Sequence, residues 1–509
     1  MRKTILKSAV LLSLFTIVGK GIGFLRMMVV AFLFGADYET DAYYLANGMV
    51  SNILYALTTA IAVSFLPIYI KKKVEKGKDE TARYTSNIIT VLSILSFLVS
   101  LIVYIGAPFF SKISAPTYHT EQLSQVTLYF RVLSIGIIFS LITSLLKSLL
   151  DAEGIYGYGA LSGIIYSVVT MAFAVLFFKS LGIMSLVVSV PVAYFIQYIF
   201  LNVRARKCVK IRFHFDLRDK DLKILILSSI PVLLSNTTVE ILQLVDRMLA
   251  SFSAEGAVSA LSYSANLNDL VISVISSSLI TVFFTEFSND SVKSDFHGLK
   301  SNLKKGISML CLILLPISLI AVMFGKEIVM IVYYRGSFGK QALDLTSQAI
   351  IIYAVSWIAV SVEKLFMKVF FALKDTKVPM CISITVVLVN IVVSVLLVHF
   401  WGFAGIPIGT VCAEIVSVVL NIFFLRHKVG RIGFQELISD VGKMIVSALV
   451  TGIVLYMIKI FTAGQLAIIR FGLASIAGIG VYVFLLIIMK CKEIGWMKEM
   501  IFVNKKEHM

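Results

Sequence analysis

Fourteen apolar runs, each about twenty to thirty residues long, follow one another along this chain, parted by short polar loops. They fall near 8–34, 42–70, 85–108, 123–150, 157–178, 183–203, 224–252, 257–287, 306–325, 344–372, 378–399, 403–425, 438–461 and 466–489. An α-helix of roughly 20 apolar residues crosses the hydrocarbon core of a bilayer. Lipid offers no hydrogen bonds, so a crossing segment must satisfy its backbone internally, and a helix does so. A β-barrel would show alternating ten-residue segments instead, and none is found. Of the 509 residues, 59% are hydrophobic and only 15% charged, against about 45–50% and 25% in soluble domains. No polar stretch is long enough for a separate soluble domain. The pattern predicts an all-α polytopic membrane protein with about 14 transmembrane helices.

The formal charge of +17 has a matching explanation. A nucleic-acid binder would gather its basic residues on one face or tail. Here they sit in loops, and the loops alternate. The loops on the side of the N-terminus carry 31 basic residues, including 71–83, 204–223 and 426–431, while the opposite loops carry five: Lys112, Lys179, Lys326, Arg335 and Lys340. Basic loops stay in the cytoplasm. This places both termini there, in a plasma membrane, and agrees with an even number of spans. The start, MRKTILKSAVLLSLFTIVGKGIGFLR, has the basic and apolar parts of a signal peptide but no small-x-small cleavage site, and reads as an uncleaved first span. Five scattered cysteines and six histidines form no CxxC, HExxH or paired cluster, so no disulfide framework, metal site or cofactor is expected.

The chain repeats itself. At a shift of 219, 31–47 lies on 250–266, and Ala31, Tyr44, Ala46 and Asn47 meet Ala250, Tyr263, Ala265 and Asn266. At shifts of 220 to 222, 149–157 lies on 371–379 and 181–207 on 401–428. The offset holds six spans, an even number, so the copies run in the same orientation, as in a parallel repeat about the membrane normal. The expected organisation is a six-helix lobe at 1–215, a second at 216–432, and two extra helices with a cytoplasmic tail at 433–509. Two like-oriented lobes flank a cleft and suit alternating access. A channel would show a filter loop or charged rings. An enzyme would need an acid/base or metal set, and none is present, so no catalytic residue is expected.

Ionisable groups inside spans mark function by default. Lys20 and Arg26 lie in the glycine-rich GKGIGFLR of the first span, where glycine allows close approach to the backbone. They either line a cavity or snorkel in structural pairs. Asp41 opens the second span. Glu240, Asp246 and Arg247 lie in the seventh, with Glu240 and Arg247 on one face as a cavity group or a structural pair. Glu363, Lys364 and Lys368 lie in the tenth span and Glu414 in the twelfth. Lys147, Asp151 and Glu153 close the fourth span and read as interfacial. Asn47 and Asn266 hold equivalent positions in the two copies, as cavity residues or helix-bridging amides. The candidate substrate-binding set is therefore Lys20, Arg26, Asn47, Arg247, Asn266 and Lys364. Asp41, Glu240, Asp246 and Glu363 are candidates for gating or ion coupling. A cleft with lysine and arginine attracts an anion, and a guanidinium matches phosphate oxygens bidentately.

Five segments stand in order over roughly 1–430: GKGIGFLRMMVVAFLFGADYETDAYYLA (19–46), FLPIY (65–69), VDRMLASFSAEGAVSALSY (245–263), YYRGSFG (333–339) and KVFFALKDTKVP (368–379). Together they resemble the MurJ/MviN lipid II flippases of the multidrug/oligosaccharidyl-lipid/polysaccharide exporter superfamily. The resemblance implies a transporter moving undecaprenyl-diphosphate-disaccharide-pentapeptide from inner to outer leaflet for peptidoglycan synthesis. It implies a basic cavity whose arginines hold the diphosphate, and a last helix pair forming a lipid-facing groove. It also implies coupling to membrane potential or a monovalent ion, and contact with cell-wall synthesis machinery. Arg26 and Asp41 match the family pattern, and Lys20 stands where arginine is usual. Gly48, Leu54 and Thr59 stand where the family offers charged residues, and Asn266 where it has arginine. Either Arg247 or Lys364 supplies the missing charge, or the cargo is another polyprenyl-diphosphate glycan, such as a capsule, exopolysaccharide or teichoic precursor. A cation-coupled drug exporter would call for an acidic first lobe, and an envelope-assembly scaffold would not need Arg26.

Overall fold

The computed structural model describes residues 2–495, with side chains from Phe15 onward except at 234–236, 238, 239 and 436. Lys498, Lys505 and Lys506, read above as part of a cytoplasmic tail, lie outside the described residues. The described chain forms fourteen long helices and no strand. They are α1 (Arg2–Phe34), α2 (Tyr38–Glu75), α3 (Gly77–Ser114), α4 (Thr120–Ala152), α5 (Gly157–Leu181), α6 (Met184–Cys208) and α7 (Lys220–Ser251). Then follow α8 (Ala257–Val292), α9 (Phe296–Val332), α10 (Lys340–Ala372), α11 (Lys377–Trp401), α12 (Gly405–Val429), α13 (Gln435–Phe461) and α14 (Ala467–Ile488). Among the described residues, twelve stretches are long and apolar enough to cross a membrane. One of them, Lys377–Val429, holds both α11 and α12. The helix outside the twelve is α7, whose middle carries side chains outside the description.

The chain divides into two compact units. The first comprises residues up to Ser262 together with Arg335–Ala342, and the second Tyr263–Tyr334 with the chain from Leu343 onward. In the first unit α4 packs on α2, α3 and α6. Leu133, Ile137, Leu141, Leu145 and Leu149 of α4 are fully buried, four residues apart, which is the spacing that keeps side chains on one helix face. The outer helix faces carry exposed apolar side chains, such as Leu176 at 75% and Ile105 at 67%, as a lipid-facing surface should. The basic loop before α7 is tied to α3. Asn87 donates to the Asp216 carbonyl at 2.8 Å and accepts from the Asp216 N–H at 2.8 Å. Lys72 pairs with Asp221 at 2.6 Å.

At the opposite end of the first unit three motif segments interlock. The Ser337 N–H and Oγ donate to the Phe32 and Leu33 carbonyls, both at 2.9 Å. These are end-of-helix acceptors that α1 itself leaves unsatisfied. Gly336, at φ +61°, sits directly on the Phe32 carbonyl, and Gly256, at φ +79°, on that of Ala36. A Cβ would be strained by φ and would overlap backbone at both places.

In the second unit α9 carries α13 and α14. Ile320 and Phe324 of α9 pack with Leu455 of α13 and Ala474 of α14. Arg470 of α14 pairs with the buried Glu327 of α9 at 3.0 Å, and Lys459 of α13 donates to the Met323 carbonyl at 2.6 Å. Two helices of this unit are broken in mid-span. α8 contains a π turn at Ile272–Ser276, and α9 is kinked at Phe324, where φ is −120° and ψ 24°. Such interruptions bend otherwise regular helices and are frequent at functional sites. Elsewhere small residues bring helices together. Gly405 of α12 presses on the Leu397–Val398 backbone of α11, and Gly409 presses on Ser394.

Candidate functional site

Arg26 is the central feature of the first unit. It reaches from α1 into a box of tyrosines, with its guanidinium carbon 5.6 Å from the Tyr166 ring centroid. Tyr43 and Tyr44 of α2 and Tyr194 of α6 are its other neighbours. The box is braced by ring contacts, Tyr43–Tyr44 at 5.2 Å and Tyr166–Tyr194 at 5.1 Å between centroids. The Arg26 Nε is buried and has no hydrogen-bond partner. Among the described residues Arg26 forms no ion pair. The energetics are unbalanced. A desolvated cation–π contact contributes about 2 kcal/mol, whereas taking an ion out of water costs several kcal/mol. A guanidinium surrounded by tyrosines, with no carboxylate paired to it among the described residues, can accept an incoming anion.

A second cation lies against the same helix. Arg247 of α7 rests its guanidinium on Gly48 of α2, where a Cβ would collide with it. Tyr44 and Gly48 are one turn apart, so the arginine of α1 and that of α7 both bear on α2. Arg247 Nη2 donates weakly to Gln243 at 3.4 Å, while its Nη1 is buried without a partner. Glu240 and Asp246 are its electrostatic neighbours, but neither forms an ion pair with it among the described residues. The Glu240 carbonyl accepts from Asn52 at 3.1 Å, which fixes α7 on α2. Asp246 Oδ1 is buried and unpartnered. Gly48 was read above as a lost charge. It is the seat of Arg247, so glycine there admits a charge carried by another helix. Gly48→Val is expected to displace the guanidinium and to reduce transport as far as Arg247→Ala does. In the double variant the two losses should not add, because both remove one group; additive losses measured in proteoliposomes would exclude this packing role.

Asp41 is held by hydrogen bonds. It is 1% exposed. Its carboxylate accepts from the Gly256 N–H at 2.8 Å, the Ser259 N–H at 2.7 Å and the Ser259 Oγ at 2.5 Å. These donors belong to the start of α8, so Asp41 caps that helix from α2. Asn47 is half-buried with no hydrogen-bond partner among the described residues. Lys20 is exposed and lines a separate cavity with Lys147.

In the second unit, Asn266 carries a buried Oδ1 without a partner. Glu363 of α10 has Glu414 of α12 and Lys364 as its charged neighbours. Glu414, singled out as a charge within a span but left outside the candidate sets, is tied to Glu363 across 51 positions, which leaves no local pattern in the chain. Lys368 lies over the Phe284 and Phe371 rings, at 5.1 and 5.8 Å from their centroids. No group of three or more His, Cys, Asp or Glu that could hold a metal occurs among the described residues.

Residues 30–476 match the family model described as lipid II flippase MurJ. Among curated relatives, a "probable lipid II flippase MurJ" of Buchnera aphidicola is 26% identical over 444 residues, 85% of each chain. One of Bdellovibrio bacteriovorus is 25% identical over 508 residues, covering 94% of this chain and 95% of that one. Among solved structures, "Lipid II flippase MurJ, inward closed conformation" superposes with a TM-score of 0.81 at 20% identity, over 94% of this chain and 98% of that one. An inward-facing multidrug resistance MATE family transporter of the MOP superfamily superposes at 0.70 with 14% identity, over 84% and 99%. These likenesses at low identity concern the fold.

Proposed function

The chain belongs to the lipid II flippase MurJ family, and we propose that it carries lipid II, undecaprenyl-diphosphate-disaccharide-pentapeptide, from the inner to the outer leaflet of a bacterial plasma membrane. The observation that carries this reading is Arg26, a buried cation that forms no ion pair among the described residues. A diphosphate supplies the missing charge and accepts from the guanidinium fork. Arg247, also unsatisfied at Nη1, is the second donor against the same headgroup. The tyrosines around Arg26 offer hydroxyls and ring faces to the sugars. The polyprenyl tail is apolar and stays in lipid throughout, so only the headgroup needs a polar path. The protein is a transporter, not an enzyme: no bond of the cargo is broken.

Both termini lie in the cytoplasm on this reading, because 31 basic residues then face inward and five outward. The two repeat copies act as the rocking halves of alternating access. The membrane potential or a monovalent ion resets the carrier, with Glu363, Glu414 and Asp246 as the carboxylates available to feel it. Glycans on the same polyprenyl diphosphate present the same anion, so cargo choice rests on the sugar contacts. The test is complementation. Expressed in cells depleted of their own lipid II flippase, the protein is expected to restore growth and the outer-leaflet pool of lipid II. If it inserts normally, yet lipid II stays in the inner leaflet, the assignment is wrong.

A further inference from the structure

Between α6 and α7 of the first unit the chain runs without helix, and its sequence alternates. Val209, Ile211, Phe213, Phe215 and Leu217 are apolar, while Lys210, Arg212, His214, Asp216 and Arg218 between them are polar or charged. An extended backbone sends successive side chains to opposite faces, so the segment is two-sided. Val209 already has extended dihedrals, φ −134° and ψ 134°. The polar series is fastened to α3. The Arg212 N–H donates to Ser86 Oγ at 3.0 Å, the Asp216 N–H and carbonyl are both held by Asn87, and His214 Nε2 accepts from Arg83 Nε at 3.1 Å. The apolar series is left open: Phe213 is 87% exposed, Leu217 63% and Phe215 48%.

Depth and charge decide what covers these side chains. The exposed apolar residues of α3 run from Ile94 to Ile113, about 28 Å of helix, which matches the roughly 30 Å of a hydrocarbon core. Asn87 stands seven residues before Ile94, about 10 Å farther along the axis. It therefore ties the segment at the outer part of the lipid headgroup layer. On α7 the exposed apolar residues begin at Ile224, seven positions after Leu217. Aromatic side chains at headgroup level belong to the membrane interface. Charge agrees with depth. Lys207, Lys210, Arg212, Arg218 and Lys220 flank the phenylalanines, all are exposed, and none forms an ion pair among the described residues. The acids of the stretch are engaged elsewhere: Asp221 pairs with Lys72, Asp219 caps α7, and Asp216 accepts from the Arg218 N–H at 2.8 Å. Unmatched cations interleaved with open apolar side chains suit an anionic lipid surface.

We propose that residues 209–218 form an interfacial anchor: Phe213, Phe215 and Leu217 enter the headgroup layer of the surrounding bilayer, and the flanking cations hold anionic lipid phosphates there. The proposal rests on α3 crossing the membrane, not on the identity of the cargo, and its test involves no lipid II. Phe213→Trp in the purified full-length protein puts a reporter at the most exposed position of the segment. The protein is reconstituted in nanodiscs of phosphatidylcholine, with or without phosphatidylglycerol. The quenchers are lipid brominated on the acyl chains close to the headgroup, and iodide in the water; the signal of the wild-type tryptophans is subtracted. In discs containing phosphatidylglycerol the new indole is expected to be quenched by brominated lipid and shielded from iodide. Adding Lys210→Gln, Arg212→Gln and Arg218→Gln should lower the ratio of anchored to free segment by about a hundredfold, since each cation near an anionic surface contributes about fivefold. Adding Lys210→Arg, Arg212→Lys and Arg218→Lys instead should keep it. All four positions are exposed, so the variants should fold, and an unchanged melting temperature checks this. An indole open to iodide and unquenched by lipid in both kinds of disc overturns the anchor and leaves these side chains to a soluble partner. Equal quenching with and without phosphatidylglycerol, or in the parent and the neutral variant, overturns the part given to the cations.

Discussion

Replacing Arg26 with alanine is expected to abolish transport without destabilising the protein. Losing one partner of a buried, hydrogen-bonded charge pair costs about 2–5 kcal/mol, so headgroup affinity should fall by roughly 1.5 to 3.5 orders of magnitude. The empty protein behaves differently. Among the described residues its Arg26 has no ion pair and a buried, unpartnered Nε, so the substitution removes an unmatched charge together with one ring contact, to Tyr166. An uncompensated buried charge is a liability to the fold, and thermal stability should hold or rise. Arg26→Lys keeps the charge but not the fork, and should retain partial activity. Thermal unfolding in detergent, beside a lipid II flipping assay, separates the two roles. A structural arginine would show a large fall in stability on conversion to alanine. An Arg26→Ala protein that transports at the wild-type rate would remove the anion site from the account.

Asp41→Ala should have the opposite signature. Asp41 is buried and accepts three hydrogen bonds from the start of α8. Its removal strands two backbone donors and a hydroxyl in an apolar setting, at about 1–3 kcal/mol each, with mutual relief once the site collapses. We expect a net loss of about 3–5 kcal/mol, placing this variant among the most damaging single changes. Asp41→Asn keeps one acceptor oxygen and should lose less. The measurement is the melting temperature in detergent together with the yield of folded protein. An Asp41→Ala protein of normal stability that no longer transports would return Asp41 to the gating or ion-coupling role expected from its place in the chain.

The helices were legible because a bilayer imposes one length and one composition on every crossing. Runs such as 85–108 and 466–489 became α3 and α14 with shifted ends. The loop of α1 onto YYRGSFG shows where legibility stops. That motif was visible as a family mark, but its work, satisfying the Phe32 and Leu33 carbonyls through Ser337, joins positions some 300 apart. Arg26 was found because a charge in an apolar span is conspicuous. The tie of Gly48 to Arg247 was not legible for the complementary reason: a glycine says nothing about the side chain that another helix lays upon it, and Arg247 is 199 positions away. Lys20 with Lys147, and Glu363 with Glu414, are likewise pairs made by packing. Periodicity reports which face of a helix is buried, not which residue of a distant helix meets it.

The central claim is that an unmatched buried arginine in this chain holds the diphosphate of a lipid-linked glycan. Binding of purified protein to lipid II, with competitors of graded chemistry, tests it most directly. Wild type should bind lipid II, undecaprenyl diphosphate should compete, undecaprenol should not, and Arg26→Ala should bind at least tenfold more weakly. If undecaprenol competes as well as the diphosphate, or Arg26→Ala binds lipid II as tightly as wild type, the anion site proposed for Arg26 does not exist.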